Sequence, residues 1–354
     1  SWGQYDKAIK NFKEALAIDK RLGREASVAT LINNIGNVYL SWGQYDKAIK
    51  NFKEALAIAR KLGQEGDVAI CLSNIGNGYL SWGQYDKAIE NFEEALVIDK
   101  RLGQEGNVAI RLNNIGNVYL SWGQYDKAIK NFKEALAIAR KLGQEGSVAT
   151  YLNNIGLVYH SWGQYDKAIK YCEEALAIAR KLGQEADVAI RLSNIGGVYC
   201  SQGRHQTAIK YFTESVKIKE KLRKTATGDI RRDYLASQLG TYQWLTSAYI
   251  RDSDFPSAFQ VIELSRAKLL AERLARDESE VKPPEVKQIQ DTLDEDTVVL
   301  VYANVVWEDI VQIAITKEGI TGKEVFNKAF VQSSIDKYDK PIKTLLGNQR
   351  GITV

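Results

Sequence analysis

Methionine is absent from the chain, even at its first position, and histidine occurs only twice, at His160 and His205. A start at Ser1 without methionine predicts a piece of a longer protein. The three cysteines, Cys71, Cys172 and Cys200, have no metal-ligand spacing. This argues against a zinc site or a disulfide framework and for a reducing compartment, so a cytoplasmic location is expected. No apolar run reaches the ~18 residues that would span a bilayer, and no signal peptide is visible. Charge of one sign is also scarce. The formal net charge is +4, and Ser41–Leu80 carries five basic and four acidic side chains. Neither nucleic acid nor a membrane surface is an expected partner. No phosphate-binding glycine loop, metal cluster or supported carboxylate pair is present, and no cofactor is expected.

What is present is repetition. The stretch SWGQYDKAIKNFKEALAIARKLGQEGDVAICLSNIGNGYL, beginning at Ser41, recurs from Ser1, Ser81, Ser121 and Ser161, and in worn form from Ser201. Such a period signals stacked repeats, each too small to bury its own apolar face. The spacing predicts two amphipathic helices per unit, one near 44–62 and the other near 68–82. Gly63 stops the former. Asp67, with Ser27, Asn107, Ser147 and Asp187 in other units, has the residue type and place of an N-cap for the latter. Gly76, Ala48 and Ala55 remove bulk where the two helices must approach.

Asn74, Ile75, Gly76, Asn77, Tyr79, Gly83, Tyr85, Ala88, Phe92 and Ala95, with their counterparts, resemble the tetratricopeptide repeat family. The usual period there is ~34 residues. The longer unit is similar to the repeats of kinesin light chains and of cell-polarity adaptors that grip extended peptides. The resemblance implies a mainly α fold: a right-handed α-solenoid superhelix of about six repeats over residues 1–276, the last one degenerate.

Residues 277–284 read as a charged, proline-ended linker. Beyond it the pattern turns to a short helix at 285–293 and strands near 297–303, 307–316 and 320–326, with a helix near 333–346. This reads as the N-terminal part of an α/β domain over 285–354. The helix Phe259–Leu270, the helix Val286–Leu293 and the strand after Asp294–Thr297 resemble the opening of CHAT domains, which are caspase-like. That family implies a His/Cys dyad. Past Asp277 there is neither residue, so this chain is not expected to be an enzyme, and a catalytic half would follow Val354.

The resemblance places the first helix of each hairpin along a concave groove. Asn33 and Asn37, Asn77, Asn113 and Asn117, and Asn153 are the candidate groove residues. A primary amide offers two donors and an acceptor, enough to pair with both groups of a peptide backbone. The alternative is that they bond a neighbouring helix; the adjoining series Asn34, Asn74, Asn114, Asn154 and Asn194 is expected to do so. Arg111 and Arg191 could recognise a carboxylate, or be solvated or paired with a glutamate of the next unit. Trp42, Trp82, Trp122 and Trp162 are expected to pack against the next unit, and the lysines at 47, 50 and 53 to form a solvated face.

The function expected is protein recognition: a scaffold or sensor array holding a polypeptide and regulating a downstream caspase-like domain. The alternative is a structural role, with repeats self-associating through the solenoid ends.

Overall fold

The computed structural model describes residues 2–225, 228–274, 284–295, 297–304 and 310–325. Most of the expected linker and the helix expected at 333–346 lie outside them. The chain divides into two compact units, Ser1–Leu182 and Gly183–Val354.

The first unit is all helix: α1 Trp2–Arg21, α2 Glu25–Ser41, α3 Tyr45–Lys61, α4 Glu65–Ser81, α5 Tyr85–Arg101, α6 Glu105–Ser121, α7 Tyr125–Lys141, α8 Glu145–Ser161 and α9 Tyr165–Lys181. The repeat of forty is two similar halves, each a 17-residue helix followed by a short turn. The turns Trp82-Gly83-Gln84 and Leu62-Gly63-Gln64 close identically. Gly63 N donates to Arg60 O and Gln64 N to Ala59 O, the Schellman pattern. This turn needs a left-handed residue, and Gly63 has φ +66° and Gly83 φ +75°.

The turn also moves the helix starts. Glu65 N donates back to Gly63 O, so α4 begins at Glu65 and Gln64 takes the N-cap position without a side-chain cap. Asp67 is therefore inside the first turn rather than its cap. There a carboxylate still suits the positive end of the helix dipole.

Close approach within each hairpin rests on glycine. A Cβ on Gly36, Gly76 or Gly116 would lie 2.5, 2.9 or 2.6 Å from the ring of Phe52, Phe92 or Phe132. Gly156 meets Cys172 Sγ in the same way, at 2.5 Å. Ala48, Phe52, Ala55 and Ala59 lose all exposure in this packing. Each hairpin is also clamped at one end, by Lys61–Glu25, Arg101–Glu65, Lys141–Glu105 and Lys181–Glu145 at 2.6–2.8 Å. These pairs are about half exposed or more, so each contributes at most about 1 kcal/mol.

The second unit begins with the hairpin α10 Glu185–Ser201 and α11 His205–Thr225, then α12 Gly228–Arg251 and α13 Phe255–Leu274. The α12–α13 turn keeps the Schellman bonds, Ser253 N to Ile250 O and Asp254 N to Tyr249 O. Ser253 holds the glycine position at φ +62°. The degenerate hairpin thus retains the turn after losing the turn's residue. Asp254 Oδ1 accepts from Ser257 N at 3.1 Å, capping α13.

After α14 Val286–Asp291 come β1 Val299–Asn304, β2 Ile310–Ile315 and β3 Ile320–Val325. They form an antiparallel sheet in the order β1-β2-β3, with Val299 opposite Ile315 and Ile315 opposite Ile320. Alternation along β2 buries Ile313 and Ile315 completely. They join Val301, Leu293, Ile250, Ala258, Phe259 and Ile262 in one core. The sheet and the last helical hairpin are thus packed together.

Candidate functional site

The first helices of successive hairpins in the first unit are α2, α4, α6 and α8, and the candidate asparagines lie on them. The structure sorts these amides into two kinds. Asn74 Nδ2 donates to Asn33 Oδ1 at 2.8 Å, from α4 to α2. Asn154 Nδ2 donates to Asn113 Oδ1 at 2.8 Å, from α8 to α6. Asn33 and Asn113, proposed from sequence as groove residues, are therefore engaged with the next helix of the row. Asn153 is buried at 3% exposure. Asn37, Asn77 and Asn117 differ: none makes a side-chain hydrogen bond to a described residue. Asn37 is exposed and the other two are half-buried. One turn of helix separates the bonded series from the unbonded one.

Both arginines are buried at 7% exposure. Arg111 Nε donates to Asp99 Oδ2 at 2.8 Å. Its partner is an aspartate of the preceding helix, not a glutamate of the next unit. Arg191 lies 3.9 Å from Asp187, one turn earlier in its own helix.

Three of the tryptophans pack backward along the chain, onto a tyrosine of the preceding hairpin. Trp42 stacks on Tyr5 at 5.7 Å, Trp122 meets Tyr85 at 5.8 Å and Trp162 meets Tyr125 at 5.8 Å. Lys47 lies over the ring of Tyr39, Lys87 over Tyr79, Lys127 over Tyr119 and Lys167 over Tyr159, at 5.2–5.6 Å. This series is a packing contact, cation on aromatic face, rather than part of a free basic stripe.

In the second unit the position equivalent to Asn113 is Ser193. Its hydroxyl is 2.8 Å from that of Ser215 and 3.3 Å from that of Thr241. Lys219 Nζ donates to the same Thr241, and burial lowers the lysine pKa. Sequence spacing did not reveal this cluster, because Thr241 comes from the helix that has lost the period. Nor did it reveal that Cys200 Sγ lies 4.0 Å from His205 Nδ1. Cys200 is 2% exposed, which closes this pair to a substrate.

All three cysteines are free and buried. Burial, with the carboxylate of Asp67, raises the Cys71 thiol to about 11. At pH 8 only ~0.1% is thiolate. Native protein is expected to leave Cys71 unmodified by a thiol-reactive disulfide at pH 8 for hours. Unfolded protein should titrate three thiols within minutes. Peptide mapping that finds Cys71 labelled in the native state would contradict this burial.

Among the described residues no group of three or more His, Cys, Asp and Glu could hold a metal ion. No helix among them is long and apolar enough to cross a membrane. The comparisons with known proteins agree on the repeats. The family model described as Tetratricopeptide repeat matches residues 3–61, 67–141 and 147–221. A search of curated proteins finds no match. Among solved structures, BtubC (BKLC) from P. vanneervenii is 27% identical over 63% of this chain and 94% of its own, with a TM-score of 0.55. Aspartyl phosphate phosphatase F from Bacillus subtilis is 18% identical over 68% of each chain, with a TM-score of 0.50. The Signal Transduction ATPase with Numerous Domains protein with a tetratricopeptide repeat sensor from Pyrococcus horikoshii is 18% identical, with a TM-score of 0.54. That match covers 79% of this chain and 41% of the ATPase. With the hairpins, the paired turns and a family model spanning more than half of its residues, the chain belongs to the tetratricopeptide repeat family.

Proposed function

We propose that the first-helix row of the first unit binds an extended segment of a partner protein by its main chain. Tetratricopeptide repeats generally mediate protein–protein interaction. The observation that carries the finer reading is the series Asn37, Asn77 and Asn117, whose amides are unbonded to described residues at repeat spacing. Polar groups at a packed helix surface normally find partners. Here α2, α4 and α6 each keep one amide in reserve, while its neighbour one turn away is used inside the fold; α8 carries Leu157 at this position. The array then serves as a scaffold or sensor.

The resemblance of residues 259–270 and 286–297 to the opening of a CHAT domain extends the proposal. The caspase-like domain that these residues would open is then the regulated partner, joined to the array through α13 and the sheet that packs on it.

The test is a selection of displayed random decapeptides on the full chain. Selected peptides should bind the Asn37→Ala, Asn77→Ala, Asn117→Ala triple variant ~10- to 100-fold more weakly, given ~1 kcal/mol per lost hydrogen bond. Thermal stability should not change, since none of the three amides bonds a described residue. Unchanged affinity in the triple variant would remove the amide row from the site.

A further inference from the structure

The bonded amide series has a gap. At the α2–α4 step Asn74 reaches Asn33, and at the α6–α8 step Asn154 reaches Asn113, 41 positions apart in both cases. At the α4–α6 step between them the same spacing sets Asn114 against Ser73. Serine is shorter by the amide group, and the bond is not made. The Ser73 hydroxyl is buried, its side chain belongs to a residue 4% exposed, and it has no hydrogen-bond partner. The Asn114 amide nitrogen donates to no described residue; its oxygen only receives a long contact of 3.5 Å from Asn113. A buried hydroxyl without a partner carries an unrecovered desolvation cost, and it leaves the half-buried Asn114 amide nitrogen without its bond across the step.

A second observation falls at the same step. One helical turn before Ser73 and Asn114, α4 and α6 expose Ile70 and Ile110, at 48% and 45%. The flanking helices α2 and α8 carry Thr30 and Thr150 at this position. Residues three and four apart share a helix face, so the isoleucines adjoin the gap. The charge nearest in sequence, Arg111, is neutralised by Asp99. The exposed Asp67, one turn before Ile70, is the other charge on this face, so the surface is apolar beside an unused amide, with one carboxylate at its edge.

We infer that the α4–α6 step is the specificity-determining subsite of the array. It takes a stretch of a partner polypeptide without acidic side chains: an aliphatic side chain lies on Ile70 and Ile110, and the adjoining peptide group bonds the Asn114 amide that Ser73 leaves unused. The inference rests on the recognition reading above and locates its reading point. Near-identical repeats bind a backbone without register, and this one irregular step supplies a register.

Two variants drawn from the protein's own repeats test it. Ser73→Asn restores the residue of the neighbouring repeats and closes the gap, because the introduced amide can accept from Asn114. Ile70→Thr with Ile110→Thr installs the threonines of α2 and α8. Decapeptides selected by display on the full wild-type chain are measured against both by fluorescence anisotropy. The expected result is selected sequences sharing an aliphatic residue in a stretch without acidic residues, with affinity falling tenfold or more in each variant. The melting temperature of Ser73→Asn should be equal or higher, by about 1–4 °C. Peptides that bind both variants as well as wild type overturn the subsite. If those peptides still lose affinity in the Asn37, Asn77 and Asn117 triple variant, recognition along the row stands and only its reading point is wrong. Indifference to every variant overturns both. Should Ser73→Asn misfold, the threonine variant, altered only at exposed positions, decides alone.

Discussion

Arg111→Ala is expected to destabilise the first unit by about 3–5 kcal/mol, the range for breaking a buried ion pair. The Arg111 side chain is 9% exposed and that of Asp99 is 1% exposed. Asp99 Oδ2 has the arginine, while Oδ1 has no hydrogen-bond partner. Removing the guanidinium would leave a carboxylate in a dry interior with nothing to balance it. The pair itself contributes little to stability, because two charges must be dehydrated to form it. The protein supplies the control. Positions equivalent to Asp99 and Arg111 in the preceding repeat hold Ala59 and Cys71. The double variant Asp99→Ala, Arg111→Cys is expected within about 1 kcal/mol of wild type, or above it. At roughly 2–4 °C per kcal/mol, the single variant should melt about 10 °C lower and the double almost unchanged. A single variant that melts with wild type would mean that water reaches Asp99. Hydrogen exchange in α5 and α6 would localise the effect, since contacts in a repeat array run between neighbours.

Gly116→Val should cost about 3 kcal/mol, while Gly66→Ala should gain up to about 1 kcal/mol. Both glycines are helical, and their difference is what they face. A Cβ on Gly116 would lie 2.6 Å from the Phe132 ring, which is itself fully buried. Neither can yield without opening the hairpin, and valine adds two methyl groups beyond that Cβ. At Gly66 a Cβ meets nothing within 4 Å, and the equivalent positions are Ala26 and Ala186. There alanine removes backbone freedom from the unfolded chain at no steric cost. Chemical denaturation of the two variants, read as midpoints at constant slope, measures both effects. Equal behaviour of the two would mean that the close packing of α6 on α7 is not what glycine provides.

The sequence by itself determined the period, the two helices of each hairpin, the glycine turns and the change of character near residue 285. Each repeat carries these signals locally: apolar spacing acts over three and four residues, and a left-handed turn asks for glycine at one position. Ser253 shows the limit even here, since its turn survives without the glycine that marks it elsewhere. Only the tertiary structure decided which amides are used and which are left over. Asn33 and Asn77 look alike in sequence, both candidates for the groove, yet a partner 41 residues away engages one and no described residue engages the other. The same holds for Arg111, which found Asp99 rather than a glutamate, and for tryptophans that lean back onto the tyrosine of the preceding repeat. Hydrogen bonds are settled by distances of a few tenths of an ångström between distant segments. One shortened side chain, Ser73, is enough to leave a gap that its own helix gives no sign of.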